Sequence, residues 1–253
     1  MSMASNIWRL IPLLSATGAQ QMAIDRWLLD QHYRGLHPPT LRFYTWSPVA
    51  ISLGYHQHTW PPEWETLTWQ GHPIDLVRRP TGGRAVLHQG DLTYAIVTTV
   101  RGGDRCQTYR HLCQFLLQGW QTLGVELRYG TAGRGYHQQT NCFEVATAAD
   151  LVLADGTKLI GSAQLRRGQC YLQHGSLRLN PDSDLWATVF RNTASASSPP
   201  SPAHPTSACL AQLDIETIVT ALCQAAINIW NITLQPQPLS EQEWIAINQL
   251  LPP

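Results

Sequence analysis

Lysine is almost absent from this chain of 253 residues: of its 17 basic residues, all but Lys158 are arginine. Guanidinium is planar and does not deprotonate at ordinary pH. A lone lysine among arginines is therefore either an accident on a turn or a position that needs a primary amine. Other absences narrow the field. No stretch approaches the roughly 18 uncharged apolar residues of a membrane span, so no membrane partner is expected. Residues Met1 to Leu14 hold one arginine and a short apolar run broken by Pro12, without a signal-peptide core or cleavage site. A cytoplasmic location is expected on that ground. Acidic and basic residues balance at 17 each, which predicts no general affinity for nucleic acid. The six cysteines (Cys106, Cys113, Cys142, Cys170, Cys209 and Cys223) include no CxxC pair, and the ten histidines form no HExxH motif. Neither a disulfide framework nor a metal site is expected.

What is present suits a core of good size, since 43% of residues are hydrophobic. The length fits one compact domain with an appended segment: a main domain over residues 1–191, a Pro/Ser-rich loop or linker over 192–208, and a C-terminal helical segment over 209–253. Residues Ala19 to Tyr33 read as an amphipathic helix, with Met22, Ala23, Trp27 and Leu29 at helical spacing. β-type runs follow at 41–46, 50–55, 74–79, 85–88 and 92–100, separated by Gly82-Gly83 and Gly90-Asp91 turns. Asp104 is placed to cap a helix ending near Leu123, with Gly124 as its stop. A second β cluster starts at Asp150 and turns at Asp155-Gly156 and Arg167-Gly168. Residues Asp214 to Trp230 read as a helix, and Ser240 opens another with a capping box. The order helix, strands, helix, strands, helices predicts an α+β fold with mixed sheets flanked by helices. No lysine or arginine follows Asn192, so the tail is not expected to hold an anionic substrate.

Three segments carry chemistry. Arg78-Arg79-Pro80-Thr81-Gly82-Gly83-Arg84-Ala85-Val86-Leu87-His88 sets two glycines in a strand-connecting turn between arginines. Glycine lets the backbone approach a ligand, and the arginines favour phosphate or carboxylate. Taken alone, such residues are more often a hairpin with surface arginines. The spacing is neither GxxxxGK[ST] nor GxGxxG. Lys158-Leu159-Ile160-Gly161-Ser162-Ala163-Gln164, followed by Gln173-His174-Gly175-Ser176, places small residues inside strands, where a ligand or another backbone can lie against the sheet. Asn141-Cys142-Phe143 precedes both. Its thiol gains interest only if a cation stabilises the thiolate.

Together, RRPTGGR, DGxKxxGSAQ and LQHGS resemble the lipoate-protein ligase and octanoyltransferase superfamily, whose catalytic domain is related to biotin protein ligases. The likeness covers most of Trp8 to Asn180 and includes Pro39-Thr40-Leu41-Arg42-Phe43-Tyr44 and Ser52-Leu53-Gly54-Tyr55. The resemblance implies a biotin/lipoate protein ligase-like catalytic domain. Adenylating ligases typically read RRxxGGGAVxHD, whereas here Arg84 follows Gly83 and Gln89 follows His88. They commonly carry Gly-Asn-Leu-Asn where Gly90-Asp91-Leu92-Thr93-Tyr94 stands here. Asn141-Cys142-Phe143 looks like the nucleophile segment of LipM-type octanoyltransferases, and Arg26 stands where an acidic residue is usual.

The implied reaction moves octanoyl from octanoyl-acyl carrier protein to Cys142, assisted by Lys158, and then to a lysine of a lipoyl domain or glycine cleavage H protein. The acyl group arrives activated, so no ATP, metal or other cofactor is implied. Arg79, Gly82, Gly83, Arg84, His88, Gly161, Ser162, Ala163, Gln164, His174 and Gly175 are the implied substrate-binding residues. The alternatives are an ATP-dependent lipoate-protein ligase, an octanoyl-protein amidotransferase, and a non-catalytic relative that only binds an acyl carrier.

Overall fold

The computed structural model describes residues 2–3, 6–130, 150–190 and 213–251. The segment holding Cys142 and the 192–208 linker lie outside the described residues. Fourteen strands and five α-helices are described. The first half of the chain carries β1 (Ser2–Met3), β2 (Ile7–Ala16), α1 (Gly18–Tyr33), β3 (Thr40–Trp46) and β4 (Ala50–Leu53). A short hairpin, β5 (Thr68–Trp69) and β6 (His72–Pro73), leads to β7 (Asp75–Arg78), β8 (Val86–His88), β9 (Asp91–Arg101) and α2 (Arg105–Thr122). Then come β10 (Arg128–Tyr129), β11 (Leu151–Val152), β12 (Lys158–Arg167), β13 (Cys170–Arg178), α3 (Ser183–Phe190), α4 (Ile215–Trp230), β14 (Thr233–Pro236) and α5 (Glu241–Asn248).

The main sheet runs β10-β11-β12-β13-β9-β3-β2-β14, with β1 on the end of β9. It is mixed: β2 pairs parallel with both β3 and β14, and the other neighbours are antiparallel. A second sheet, β7-β4-β8, carries the arginine- and glycine-rich turn between β7 and β8. The expected α+β class with mixed sheets and flanking helices is the class observed.

Local chemistry accounts for the helices. Thr17 and Asp104 each cap a helix in a reciprocal box with the glutamine three residues on, satisfying N–H groups that have no intrahelical partner. Ser240 does the same with Glu243. Helix α1 buries Met22, Ile24, Leu28 and Leu29 on one sheet face. Helix α2 buries Leu112, Phe115, Leu116 and Trp120 on the other. Helix α4 packs on α2, where the Gly119 position leaves only 2.7 Å from a built Cβ to Leu222 Cδ2. Trp230 stacks on Trp8 with centroids 5.1 Å apart. The C-terminal residues 213–251 thus share the core, and besides the two expected helices they supply the edge strand β14. No described helix is long and apolar enough to cross a membrane.

Candidate active site

A cavity of about 560 Å³ lies where α1, the β7–β8 turn, β8, β12, β13 and the first turns of α2 meet, a volume within the usual range for small-ligand sites. Register explains why the two small-residue segments converge. Strands β12 and β13 pair Gly161 with Ser176, Ser162 with Gly175, and Ala163 with His174. Strand β9 then sets Tyr94 opposite Gly175. A Cβ at Gly175 would stand 2.5 Å from Ser162 Oγ and 2.7 Å from the Gly161 carbonyl, so glycine is what lets these strands close.

The arginine-rich turn is fastened to itself. Arg79 is 6% exposed and every guanidinium N–H has an acceptor. Nε and Nη2 donate to the Gly82 carbonyl at 3.2 and 2.8 Å, and Nη2 also donates to the Arg84 carbonyl at 2.6 Å. Nη1 donates to the Ser52 carbonyl at 2.7 Å and to Ser52 Oγ at 3.2 Å. Arg78 Nη1 likewise meets the carbonyls of Gly54 and Gln57 at 2.9 and 2.7 Å. The turn also packs closely, since a Cβ on Gly54 would stand 1.8 Å from the Gly83 carbonyl oxygen. Arg78 Nη1 and the Arg79 guanidinium thus hold the main chain of the turn, and Arg79 also lines the cavity.

Two histidines are locked alike. His174 Nδ1 lies 2.7 Å from Asp25 Oδ2, and its Nε2 lies 2.6 Å from Thr81 Oγ1. Asp25 is fully buried, where the Arg42 guanidinium, with Nε 3.2 Å from Oδ1, balances its charge and the Tyr44 hydroxyl donates to Oδ2 at 3.2 Å. His88 Nδ1 lies 2.8 Å from Asp91 Oδ2 and its Nε2 2.8 Å from Ser52 Oγ. The Asp91 carboxylate can only accept, so the ring proton of neutral His88 lies on Nδ1 and Nε2 accepts from the Ser52 hydroxyl. Burial pushes the His88 pKa below the ordinary value, with Arg79 and His174 adding to the shift and Asp91 opposing it. Trp46 stacks on the His88 ring at 3.8 Å.

At the opposite edge, Lys158 Nζ sits 2.9 Å from Asp150 Oδ1, both side chains nearly inaccessible. Asp150 lines the cavity together with Arg105, Cys106, Tyr109 and Arg110 of α2. The Asp150 carbonyl accepts from Gly130 N at 2.8 Å, so the described residues on either side of 131–149 meet there.

The family described as the lipoyl protein ligase A/B catalytic domain matches residues 17–227, from the cap of α1 into α4. The chain belongs to this family. Among its relatives, octanoyltransferase LipM of Carboxydothermus hydrogenoformans is 39% identical over 188 residues, covering 73% of this chain and 69% of that protein. Octanoyltransferase LipM of Moorella thermoacetica is 41% identical over 197 residues, 74% and 71% of the two. A lipoate-protein ligase A structure with ATP bound superposes with TM-score 0.73 at 22% identity, covering 96% of this chain and 93% of that one. A T. acidophilum protein solved with lipoic acid gives 0.76 at 22% identity and the same coverage. At that identity these two structures show a shared fold and nothing finer.

Of the site residues expected from the sequence, Arg79, Gly82, Gly83, His88, Gly161 to Gln164, His174 and Gly175 line the cavity. Arg84 and Lys158 do not line it, although each adjoins a residue that does. Cys142 lies outside the described residues. Arg26 is exposed and donates to the Arg78 carbonyl at 3.2 Å, away from the cavity lining. The carboxylate that α1 sends inward is the neighbouring Asp25. Sequence reasoning passed over Asp25, Ser52, Thr81, Asp91 and Asp150. All five are polar groups buried against partners distant in sequence or held in turns, and the one legible hint was that a buried acid demands a partner. Among the described residues, no three His, Cys, Asp or Glu side chains are grouped to hold a metal ion.

Proposed function

We propose that this chain is an octanoyltransferase of lipoate assembly, working in the cytoplasm, which carries octanoyl as a thioester on Cys142. The observation that carries the reading is its likeness, at 33–41% identity, to proteins named octanoyltransferase LipM. The geometry supports it. Met22, Tyr44, Trp46 and Val86 give the cavity an apolar side suited to an eight-carbon chain. Cys142 is eight residues from Asp150, within chain reach of the Lys158 ammonium.

In the first half-reaction the Cys142 thiolate attacks the thioester carbonyl of octanoyl-acyl carrier protein. The carrier thiol leaves with the proton, and octanoyl remains on sulfur. In the second, the ε-amine of a lysine on a lipoyl domain or glycine cleavage H protein attacks that thioester. An amide forms and the thiol is restored. Exchange of thioesters is nearly balanced, and amide formation draws the sequence forward. A free thiol titrates near 8.5, so only a few per cent is thiolate at neutral pH. An ammonium close by raises that fraction and stabilises charge on the carbonyl oxygen. Asp150 fixes where Nζ points.

The test is intact mass after incubation with octanoyl-acyl carrier protein and no ATP. One octanoyl adduct is expected, mapped to Cys142 and lost in Cys142→Ser. Cys113 is no rival, because burial pushes its thiol up to about 12. Cys106 is one, since it is exposed at the cavity. An adduct on Cys106 that survives Cys142→Ser would sink the assignment. Modification of a lipoyl domain from free octanoate and ATP, with none from the carrier thioester, would replace it with the ligase reading.

A further inference from the structure

Arg105 and Arg110 stand on the exposed side of α2 and line the cavity mouth. Tyr109, between them, donates from its hydroxyl to the Ser162 carbonyl at 3.3 Å, tying this part of the helix to the small-residue strand. Arg110 lies over the Tyr129 ring, 5.4 Å from its centroid. Stacking of this kind orients a guanidinium while leaving its N–H edge open. The other charged groups lining the cavity are already committed. Arg79 spends its donors on carbonyls and on Ser52, and Asp150 faces Lys158 Nζ. Asp104, beside Arg105, accepts from Gln107 N as the helix cap.

We infer that Arg105 and Arg110 are the site for the phosphate of the acyl donor's pantetheine arm. The inference rests on the octanoyltransferase reading and adds how that site distinguishes its donor. One cavity thus brings together what such a donor presents: apolar side chains of Met22 and Val86 for the acyl chain, Asp150 with its Lys158 partner beside the thioester, and two exposed guanidiniums for an anionic phosphate. Two guanidiniums meet phosphate oxygens through charge-assisted hydrogen bonds, which are stronger and more directional than contacts from a point charge. The acceptor lysine bears no phosphate, so these arginines act in the first half-reaction and leave the second alone.

The experiment measures the rate of S-octanoylation of the full chain by octanoyl-4′-phosphopantetheine and by octanoyl-pantetheine, which lacks the phosphate. Wild type should favour the phosphorylated donor by about tenfold in kcat/KM, the worth of one hydrogen bond to a charged group. In Arg105→Ala/Arg110→Ala that preference should fall to near unity, and Arg105→Lys/Arg110→Lys should keep part of it. Equal use of both donors by wild type overturns the site and needs no variant to do so. A preference that persists undiminished in the double alanine variant also overturns it. Acylation from octanoate and ATP that depends on the two arginines would assign them to a nucleotide phosphate and overturn it too. If no thioester donor acylates wild type, the octanoyltransferase reading itself has failed, a result distinct from equal use of the two donors.

Discussion

The two sides of the cavity are built on opposite plans. Toward α1 and the β7–β8 turn, Arg79, His88 and His174 each sit within hydrogen-bond distance of carboxylates, hydroxyls or carbonyls of the chain itself. Toward α2 lie the Lys158–Asp150 pair, the exposed Cys106 and the two outward arginines. The first side is closed on itself; on the second the Lys158–Asp150 pair is closed too, while Cys106, Arg105 and Arg110 are open to solvent. Positive charge near a cavity is thus a poor guide to ligand contact until its donors have been traced.

The largest effect is expected at the buried ion pair on the α2 side. Lys158→Arg keeps the charge opposite Asp150 but replaces a compact amine with a planar fork. Formation of the S-octanoyl enzyme should fall about a thousandfold, the upper range for losing one donor to a developing oxyanion. Rapid-quench mass measurement checks this, and full turnover by the variant would show that Lys158 supplies charge alone.

On the α1 side the loss should appear in stability. Arg79→Lys leaves carbonyls of Gly82 and Arg84 short of donors, and should cost about 3 kcal/mol in urea unfolding. Acylation per folded molecule should stay within a few-fold of wild type. A variant of unchanged stability with weakened donor binding would move Arg79 to the ligand-facing side.

A smaller effect is expected at Met22, which is 4% exposed and borders the apolar side. Met22→Ala should shift the decanoyl-to-octanoyl ratio of kcat/KM by about tenfold toward the longer chain, the low end of what a single methylene is worth in an apolar pocket. An unchanged ratio would place the end of the acyl chain elsewhere.

The smallest effect is on pH dependence. His88 has a folded pKa below its unfolded value, so the unfolded chain binds the extra proton first. Stability should therefore hold above about pH 6.5 and decline as pH falls below it. His32, lowered mainly by burial, acts with the same sign. Replacing His88 with Gln should flatten the slope of the urea midpoint between about pH 5 and 7. A slope equal to wild type would show that this ring carries no part of it.

Much of the frame was legible because its signals are local. Asp104 with Gln107, and Ser240 with Glu243, announce two helices within four residues each, and Gly124 ends one at φ +78°. Other elements were hidden for equally physical reasons. Strand β2 read as a broken apolar run because Pro12 sits in it, and its pairing with β3 shifts register between Ile11 and Leu14 around that proline. Strand β14 is four residues ending in Pro236, too short for a period to show. The small-residue strands and the glycine turn were identifiable as site material by composition. Their partners were not, since Asp25 and His174 are 149 positions apart and an isolated aspartate on a helix ordinarily faces water.

Arg9 sets an order of events for the newborn chain. It is 1% exposed, and its guanidinium donates to the carbonyls of Gln237 and Pro238 and, in a fork, to Glu243 at 2.7 and 2.9 Å. Those acceptors leave the ribosome more than two hundred residues after Arg9 does. Until then the Arg9 guanidinium has only water and, at 3.5 Å, His37 Nδ1 to meet, and β2 has an open edge where β14 will pair. Translation proceeds at about 5–20 residues per second, so the sheet waits on the order of ten seconds or more for its last strand. A chain stopped anywhere before Thr233 would lack β14 and leave the β2 edge without that partner.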